Sequence, residues 1–199
     1  MSARIAFLRH GPTAWNDDGR LQGMTDVPLS PRGRALVATW RVPFAGWRWA
    51  CSPLTRARET AALVGAPPAL AVEPALREMA YGRWEGRTLA DLRAREAEAM
   101  RDAETRGLDM APPGGESPRE VMDRLRPWIA RTAAQGEDVV AVSHKGVIRV
   151  VLAMATGWDM KSRQPMKLDW SRLHVFAASA DGTLAVDSLN VKLRSEIAA

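Results

Sequence analysis

Strand-like and helix-like segments alternate along this chain, and that alternation limits its fold more than any other feature. Arg4 to Leu8 is a short apolar strand. Ser30-Pro31 is a helix start, a serine cap with proline at the first helical position, and the helix should run to about Trp40. Trp47 to Cys51 reads as a second strand. Ser52-Pro53 repeats the helix-start chemistry, for a helix reaching about Val64. Thr88 to about Arg106 is rich in Ala, Glu, Arg and Leu, which predicts another helix. After the break at Pro112-Pro113-Gly114-Gly115, Ser117-Pro118-Arg119-Glu120 forms a capping box. Behind it, Val121, Leu125, Trp128, Ile129 and Thr132 share one helical face. Asp138 to Ser143 is a buried strand and Lys145 to about Thr156 a mostly apolar helix. Leu173 to Ala178 and Thr183 to Leu189 form a hairpin around Ala180-Asp181-Gly182.

Such alternation predicts an α/β fold, a three-layer αβα sandwich with a mixed, mainly parallel central sheet. The stretch from about Leu76 to Gly115 has no strand of its own. It reads as a mostly helical insertion over the active-site end. The 199 residues fit a single domain, 1–199. No window approaches the roughly 18 apolar residues of a membrane span, and no leader pattern precedes the first strand. A cytoplasmic protein is therefore expected. One cysteine, Cys51, excludes an internal disulfide. The net charge of +5 raises nucleic acid as a partner, but the arginines are interleaved with acids and never form a basic run. Small anionic substrates suit this balance better.

Ligands of open α/β sheets bind beyond the carboxyl ends of the strands. Arg9-His10-Gly11 follows the first strand, Cys51-Ser52-Pro53 and then Arg56 the second, and His144-Lys145-Gly146 the Asp138 strand. Two of three histidines thus share one edge with three basic residues. Guanidinium groups fork onto phosphate oxygens, and imidazoles near neutrality act as nucleophile, donor or proton carrier. This is the chemistry of phosphoryl transfer. His174 lies in a strand outside any motif and reads as structural. Trp15 and Trp84 read as packing groups. No local ligand pattern such as His-x-x-x-His occurs, so no metal or other cofactor is expected.

Arg9-His10-Gly11-Pro12-Thr13-Ala14-Trp15-Asn16 resembles the signature of the histidine phosphatase superfamily, also called phosphoglycerate mutase-like. Gly19-Arg20-Leu21-Gln22-Gly23, Leu29 to Gly33, Ser52 to Ala57, Leu76-Arg77-Glu78, Gly82 to Gly86, Gly114 to Ser117 and Val142-Ser143-His144 follow in unbroken order. The resemblance implies that His10 attacks phosphorus and that Arg9, Arg56 and His144 bind its oxygens. It also implies that Glu78 protonates the leaving oxygen, with Glu85 as a nearby second candidate, and that Asn16 and Gln22 line the phosphate site. Pro12 stands where glutamate is common, and Lys145 stands where a small residue is common. Whether Lys145 faces the pocket is open at this point, and it is carried as a candidate binding residue.

The Gly82 to Gly86 segment resembles that of broad-specificity phosphatases and alpha-ribazole phosphatase. Hydrolysis of a small phosphorylated metabolite through a phosphohistidine on His10 is therefore the expected activity. A phosphoglycerate mutase, a phosphohistidine protein phosphatase and a non-catalytic binding module are the alternatives. Mutases of the family tend to be longer, which weighs against the first of these. The resemblance leaves a homodimer open, with no nucleic-acid or membrane partner.

Overall fold

The computed structural model describes residues 2–195. The chain begins with β1 (Ser2–Arg9), the single turn α1 (Ala14–Asp17), α2 (Pro31–Ala38) and β2 (Trp40–Arg41). It continues through β3 (Arg48–Cys51), α3 (Thr55–Leu63) and β4 (Ala71–Val72). The insertion follows, with α4 (Leu89–Arg95) and α5 (Ala97–Arg106). The final third holds α6 (Pro118–Gln135), β5 (Val139–Ser143), α7 (Lys145–Thr156), β6 (Leu173–Ser179), β7 (Leu184–Val191) and β8 (Arg194–Ser195).

Six strands form one sheet in the order β4-β3-β5-β1-β6-β7. β4, β3, β5 and β1 are mutually parallel, while β6 runs antiparallel to β1 and β7 antiparallel to β6. β5 is buried at every position, as its unbroken apolar run requires of a central strand covered on both faces. Along β1 the two-residue period assigns sides. Ile5 and Phe7 pack with Val121, Leu125 and Ile129 of α6 and with Val147 and Val151 of α7. Ala6 and Leu8 pack on the other face with Val37 of α2 and Ala57 and Ala61 of α3. The result is the three-layer sandwich expected from the alternation. Each fully buried aliphatic side chain contributes about 1.5–3 kcal/mol, and Phe7 adds edge-on ring contacts to Trp128 and Phe176.

The capping box forms as the sequence predicts, Ser117 Oγ accepting from Glu120 N while the Glu120 carboxylate accepts from Ser117 N. Three boundaries differ from expectation. α2 ends at Ala38, because Trp40 turns away to pair with β8. The helix expected from Thr88 to Arg106 is broken at Glu96, whose backbone leaves helical geometry and whose carboxylate pairs with Arg87. α3 starts at Thr55, not at Ser52-Pro53, because Asp26 from a distant loop accepts from Thr55 N (2.8 Å) and caps the helix from outside.

The insertion has its own small core of Trp84, Leu92, Met100 and Ala103, against Leu21, Tyr81 and Met110. It has no strand apart from an isolated bridge between Arg20 and Thr88. Its first residues are anchored at the sheet's carboxyl edge, where Ser143 Oγ donates to Leu76 O (2.8 Å).

Candidate active site

The three strand ends singled out above are neighbours, since β3, β5 and β1 are adjacent and Arg9 lies in register with Ser143. The ladder continues one step beyond each strand, with His10 N donating to Ser143 O and Ser52 N to Val142 O, both at 2.9 Å. That step fixes the backbone from which His10 and His144 project. Their rings lie 5.2 Å apart between centroids, tilted by 56°, and both side chains are buried.

His10 Nδ1 is 2.7 Å from Gly11 O. A carbonyl oxygen only accepts, so Nδ1 carries the proton in this contact and Nε2 keeps its lone pair. Burial, followed by the nearby charges of Arg9 and Arg56, holds the ring well below the ordinary histidine value, with the Gly11 bond opposing. His10 is thus a neutral imidazole with a free Nε2. His144 Nε2 sits 2.7 Å from Ser52 Oγ, and its buried Nδ1 has no partner among the described residues. With the Ser52 hydroxyl as donor, Nδ1–H is a donor open to an anion. Burial and the charges of His10, Arg56, Arg124 and Arg9 push His144 well below its ordinary value. Ser52 was read from sequence as a helix cap. Relieved of that role by Asp26, it holds an imidazole instead.

Arg56 is fully buried. Its Nη2 donates to Gly23 O (2.7 Å) and its Nη1 to Thr25 O (3.0 Å). Arg56 Nε and Arg9 Nε are both buried without a partner among the described residues. Burial lowers both guanidinium pKa values while the charge of Glu78 raises them, and arginine stays charged regardless. Gln22 is buried too, with its Oε1 unpartnered. Buried polar groups in folded proteins are normally satisfied. The orphaned donors here, Arg9 Nε, Arg56 Nε and His144 Nδ1, therefore point to an oxyanion, whereas Gln22 Oε1 is an acceptor and adds nothing to that argument. Asn16 Oδ1 accepts from Thr13 N and Oγ1, closing the box that caps α1 and leaving its amide nitrogen as the group available to a ligand.

Glu78 reaches the same place from the insertion. Its Oε1 accepts from Met79 N (2.9 Å) and its Oε2 from Gly146 N (3.2 Å), at the start of α7. A clamp not anticipated from sequence holds this segment. The largely buried Arg124 of α6 donates to the carbonyls of Ala75, Arg77 and Glu78. It also pairs with Glu116, which in turn binds Arg77 and accepts from Ala80 N. The available signal was a charged residue at position 124, between Val121 and Trp128 on an otherwise apolar face. Glu85, the second candidate acid, has its carboxylate engaged by Met24 N, Thr25 N, Thr25 Oγ1 and Tyr81 N. It braces the loop whose carbonyls hold Arg56.

Lys145 Nζ lies 5.2 Å from the centre of the Trp170 ring. Burial, then the charges of Arg9 and Arg149, lower its pKa, with Glu78 opposing. The residue as a whole is exposed and directly follows His144. A cavity of about 490 Å³ lies beside Glu78, walled by Met79, Tyr81, Trp84, Met110 and Gly146, with Lys145 also on its wall. His174 lies on β6, bonded to Asn190 N, and contributes nothing to this cluster. Among the described residues no helix is long and apolar enough to cross a membrane.

The family model described as histidine phosphatase superfamily (branch 1) matches residues 5–191. The chain belongs to that superfamily. It is 30% identical over 197 residues to the 2,3-bisphosphoglycerate-dependent phosphoglycerate mutase 2 of Gloeobacter violaceus, covering 92% of this chain and 89% of the mutase. It is 30% identical over 182 residues to the adenosylcobalamin/alpha-ribazole phosphatase of Escherichia coli, covering 86% and 90% of the two. The structure of a mycobacterial glucosyl-3-phosphoglycerate phosphatase in complex with VO3 superposes with a TM-score of 0.77 at 27% identity, over 96% of this chain and all of that one. The α/β fold and the phosphatase-type enzyme class expected from sequence both stand. This histidine phosphatase has relatives named as mutases as well as phosphatases.

Proposed function

We propose that this histidine phosphatase, acting as one domain over residues 1–199, hydrolyses a small phosphomonoester through a phosphohistidine on His10. One observation carries the reading: the Gly11 carbonyl holds the His10 proton on Nδ1, so Nε2 offers a lone pair amid unpartnered buried donors. In the first step Nε2 attacks phosphorus, the N–P bond forms and the P–O bond to the leaving group breaks. Glu78 gives that oxygen a proton and the alcohol departs. In the second step water attacks the phosphoryl group, Glu78 takes the water's proton, and the N–P electron pair returns to Nε2 as phosphate leaves. Arg9 and Arg56 neutralise the charge spread over the equatorial oxygens and the His144 Nδ1–H donates a hydrogen bond to them, which is most of what phosphoryl transfer requires. Gln22 and the Asn16 amide add neutral hydrogen bonds.

A mutase is the second reading, because the Gloeobacter relative bears that name. Length does not separate the two, contrary to the expectation from sequence, since this chain spans 89% of that mutase. Transfer to water or to a second alcohol is decided by exclusion of water from the phosphoenzyme.

The test is a panel of phosphorylated metabolites and an aryl phosphate, with phosphate release as readout. The wild type is expected to release phosphate and to yield an acid-labile, alkali-stable phosphoenzyme. His10→Ala is expected to retain less than about 1% of the rate with an unchanged fold, since the covalent route is lost. Retention of a substantial rate by His10→Ala refutes the assignment. A phosphoenzyme that reacts with phosphoglycerate but not with water selects the mutase.

A further inference from the structure

Four cations line a single cleft next to the site, and no acidic side chain shares its walls. The cleft, of about 710 Å³, lies between the start of α7 and the irregular segment 157–172 that leads into β6. Lys145, Arg149, Arg163 and Lys167 share its walls with Gln164 and Trp170, and no acidic residue contributes to it. None of the four cations forms an ion pair among the described residues. Like charges gathered in one concavity repel one another, and focus a positive field that favours an anion there. Lys145, though exposed, is drawn over the Trp170 face, which holds one of these charges on the cleft wall.

The position of the cleft is as informative as its charge. Lys145 and Arg149 form a wall of this cleft and also of the cavity beside Glu78. These two residues thus join the cavity beside Glu78 to the cleft that holds the other cations. We propose that this cleft is a subsite for a second anionic group, a carboxylate or phosphate, carried on the leaving group of the substrate. The preferred substrates are then phosphomonoesters with two separated anionic groups. This rests on the phosphomonoesterase reading and adds the substrate class to it.

The test uses Arg163→Ser combined with Lys167→Ser, both outside the set assigned to the reaction. kcat/KM is measured on an aryl phosphate and on two matched pairs, glycerol 3-phosphate with 3-phosphoglycerate, and glucose 6-phosphate with 6-phosphogluconate. The wild type is expected to favour the acid of at least one pair by about tenfold, equivalent to about 1.4 kcal/mol. That preference should shrink with added salt and vanish in the double variant, with aryl phosphate turnover unchanged. No preference in the wild type, or a preference that survives the double substitution, overturns the proposal. So does a cleft that takes a free anion instead, seen as sulfate inhibition of aryl phosphate turnover that the double variant loses while no substrate preference exists. Failure of the wild type to hydrolyse any of these esters would instead strike the phosphomonoesterase reading. Calorimetric binding of 6-phosphogluconate then decides about the cleft, tighter binding to the wild type supporting it and equal binding overturning it.

Discussion

Replacing Arg124 with methionine removes the guanidinium that ties α6 to the Glu78 segment while keeping a side chain of similar length. Arg124 and Glu116 are 12% and 16% exposed, so their pair is largely shielded from water. Breaking a buried pair by removing one partner costs about 3–5 kcal/mol, mostly from the charge left behind. Glu116 keeps Arg77 and Ala80 N, so the lower end applies. At about 2–4 °C per kcal/mol for a chain of this size, Tm should fall by about 6–12 °C. Removing the stranded charge as well, in Glu116→Gln with Arg124→Met, should cost less than the sum of the two single changes. The functional consequence follows from three freed carbonyls, those of Ala75, Arg77 and Glu78. A displacement of about 1 Å at a reacting group can cost about a hundredfold. If Arg124 acts through Glu78, Arg124→Met should slow an alkyl phosphate by about ten- to a hundredfold. A nitrophenyl phosphate, whose leaving group hardly needs a proton, should slow far less. Steady-state kinetics on both substrates, below the lowered Tm, separate the two effects. Equal slowing of both esters, or a Tm loss without any leaving-group dependence, refutes the clamp as a positioning device.

Glu78→Gln should show the same leaving-group split more strongly, about a hundredfold or more on alkyl esters. Equal loss on both ester types would remove Glu78 as the proton donor. If Arg9 and Arg56 supply the positive charge around phosphorus and His144 a hydrogen bond, as proposed, a chelator should leave the rate unchanged and vanadate should inhibit. A chelated enzyme revived by a divalent ion contradicts this. Burial pushes His174 from 6.5 down to about 4, so in the folded state it stays neutral where the unfolded chain is protonated. Its contribution is fully present above about pH 6.5 and is lost as pH falls towards about 4, at about 1.36 kcal/mol per pH unit. Denaturant unfolding at pH 7 and pH 4 should show His174→Gln losing about 3 kcal/mol less than the wild type between the two. Parallel losses would show that His174 does not titrate differently on unfolding.

The strand ends were legible because apolar runs with abrupt polar endings leave few alternatives. Once β1, β3 and β5 are adjacent, His10, Ser52 and His144 must meet. The capping box at Ser117 was equally readable, as every contact in it is local. Most of the failures share one cause, which is a partner supplied from far along the chain. Asp26 caps α3 from 29 residues away and so moves its start from Ser52 to Thr55. Arg124 reaches carbonyls more than 40 residues distant. The break between α4 and α5 is different. Good helix formers fill both sides of Glu96, and only its pairing with Arg87 and the packing of the two helices separate them. Glu78 was named through family resemblance, since nothing local distinguishes it from Glu85. The hydrogen bonds distinguish them, four donors occupying Glu85.

That bracing bears on how the enzyme could be re-engineered. The loop 23–25 is gripped from both sides. Arg56 takes its carbonyls from within the sandwich, and Glu85 takes its N–H groups from the insertion. A Cβ on Gly23 would lie 2.1 Å from Glu85 Oε1, so the two segments fit without slack. The insertion is therefore no exchangeable cassette. A chimera that imports residues 76–115 from a relative to alter substrate choice also replaces the strut beneath Arg56. On the proposed roles, such a graft would inherit a new leaving-group pocket and a loosened phosphate grip together, unless a glutamate is kept at position 85 and glycine at position 23.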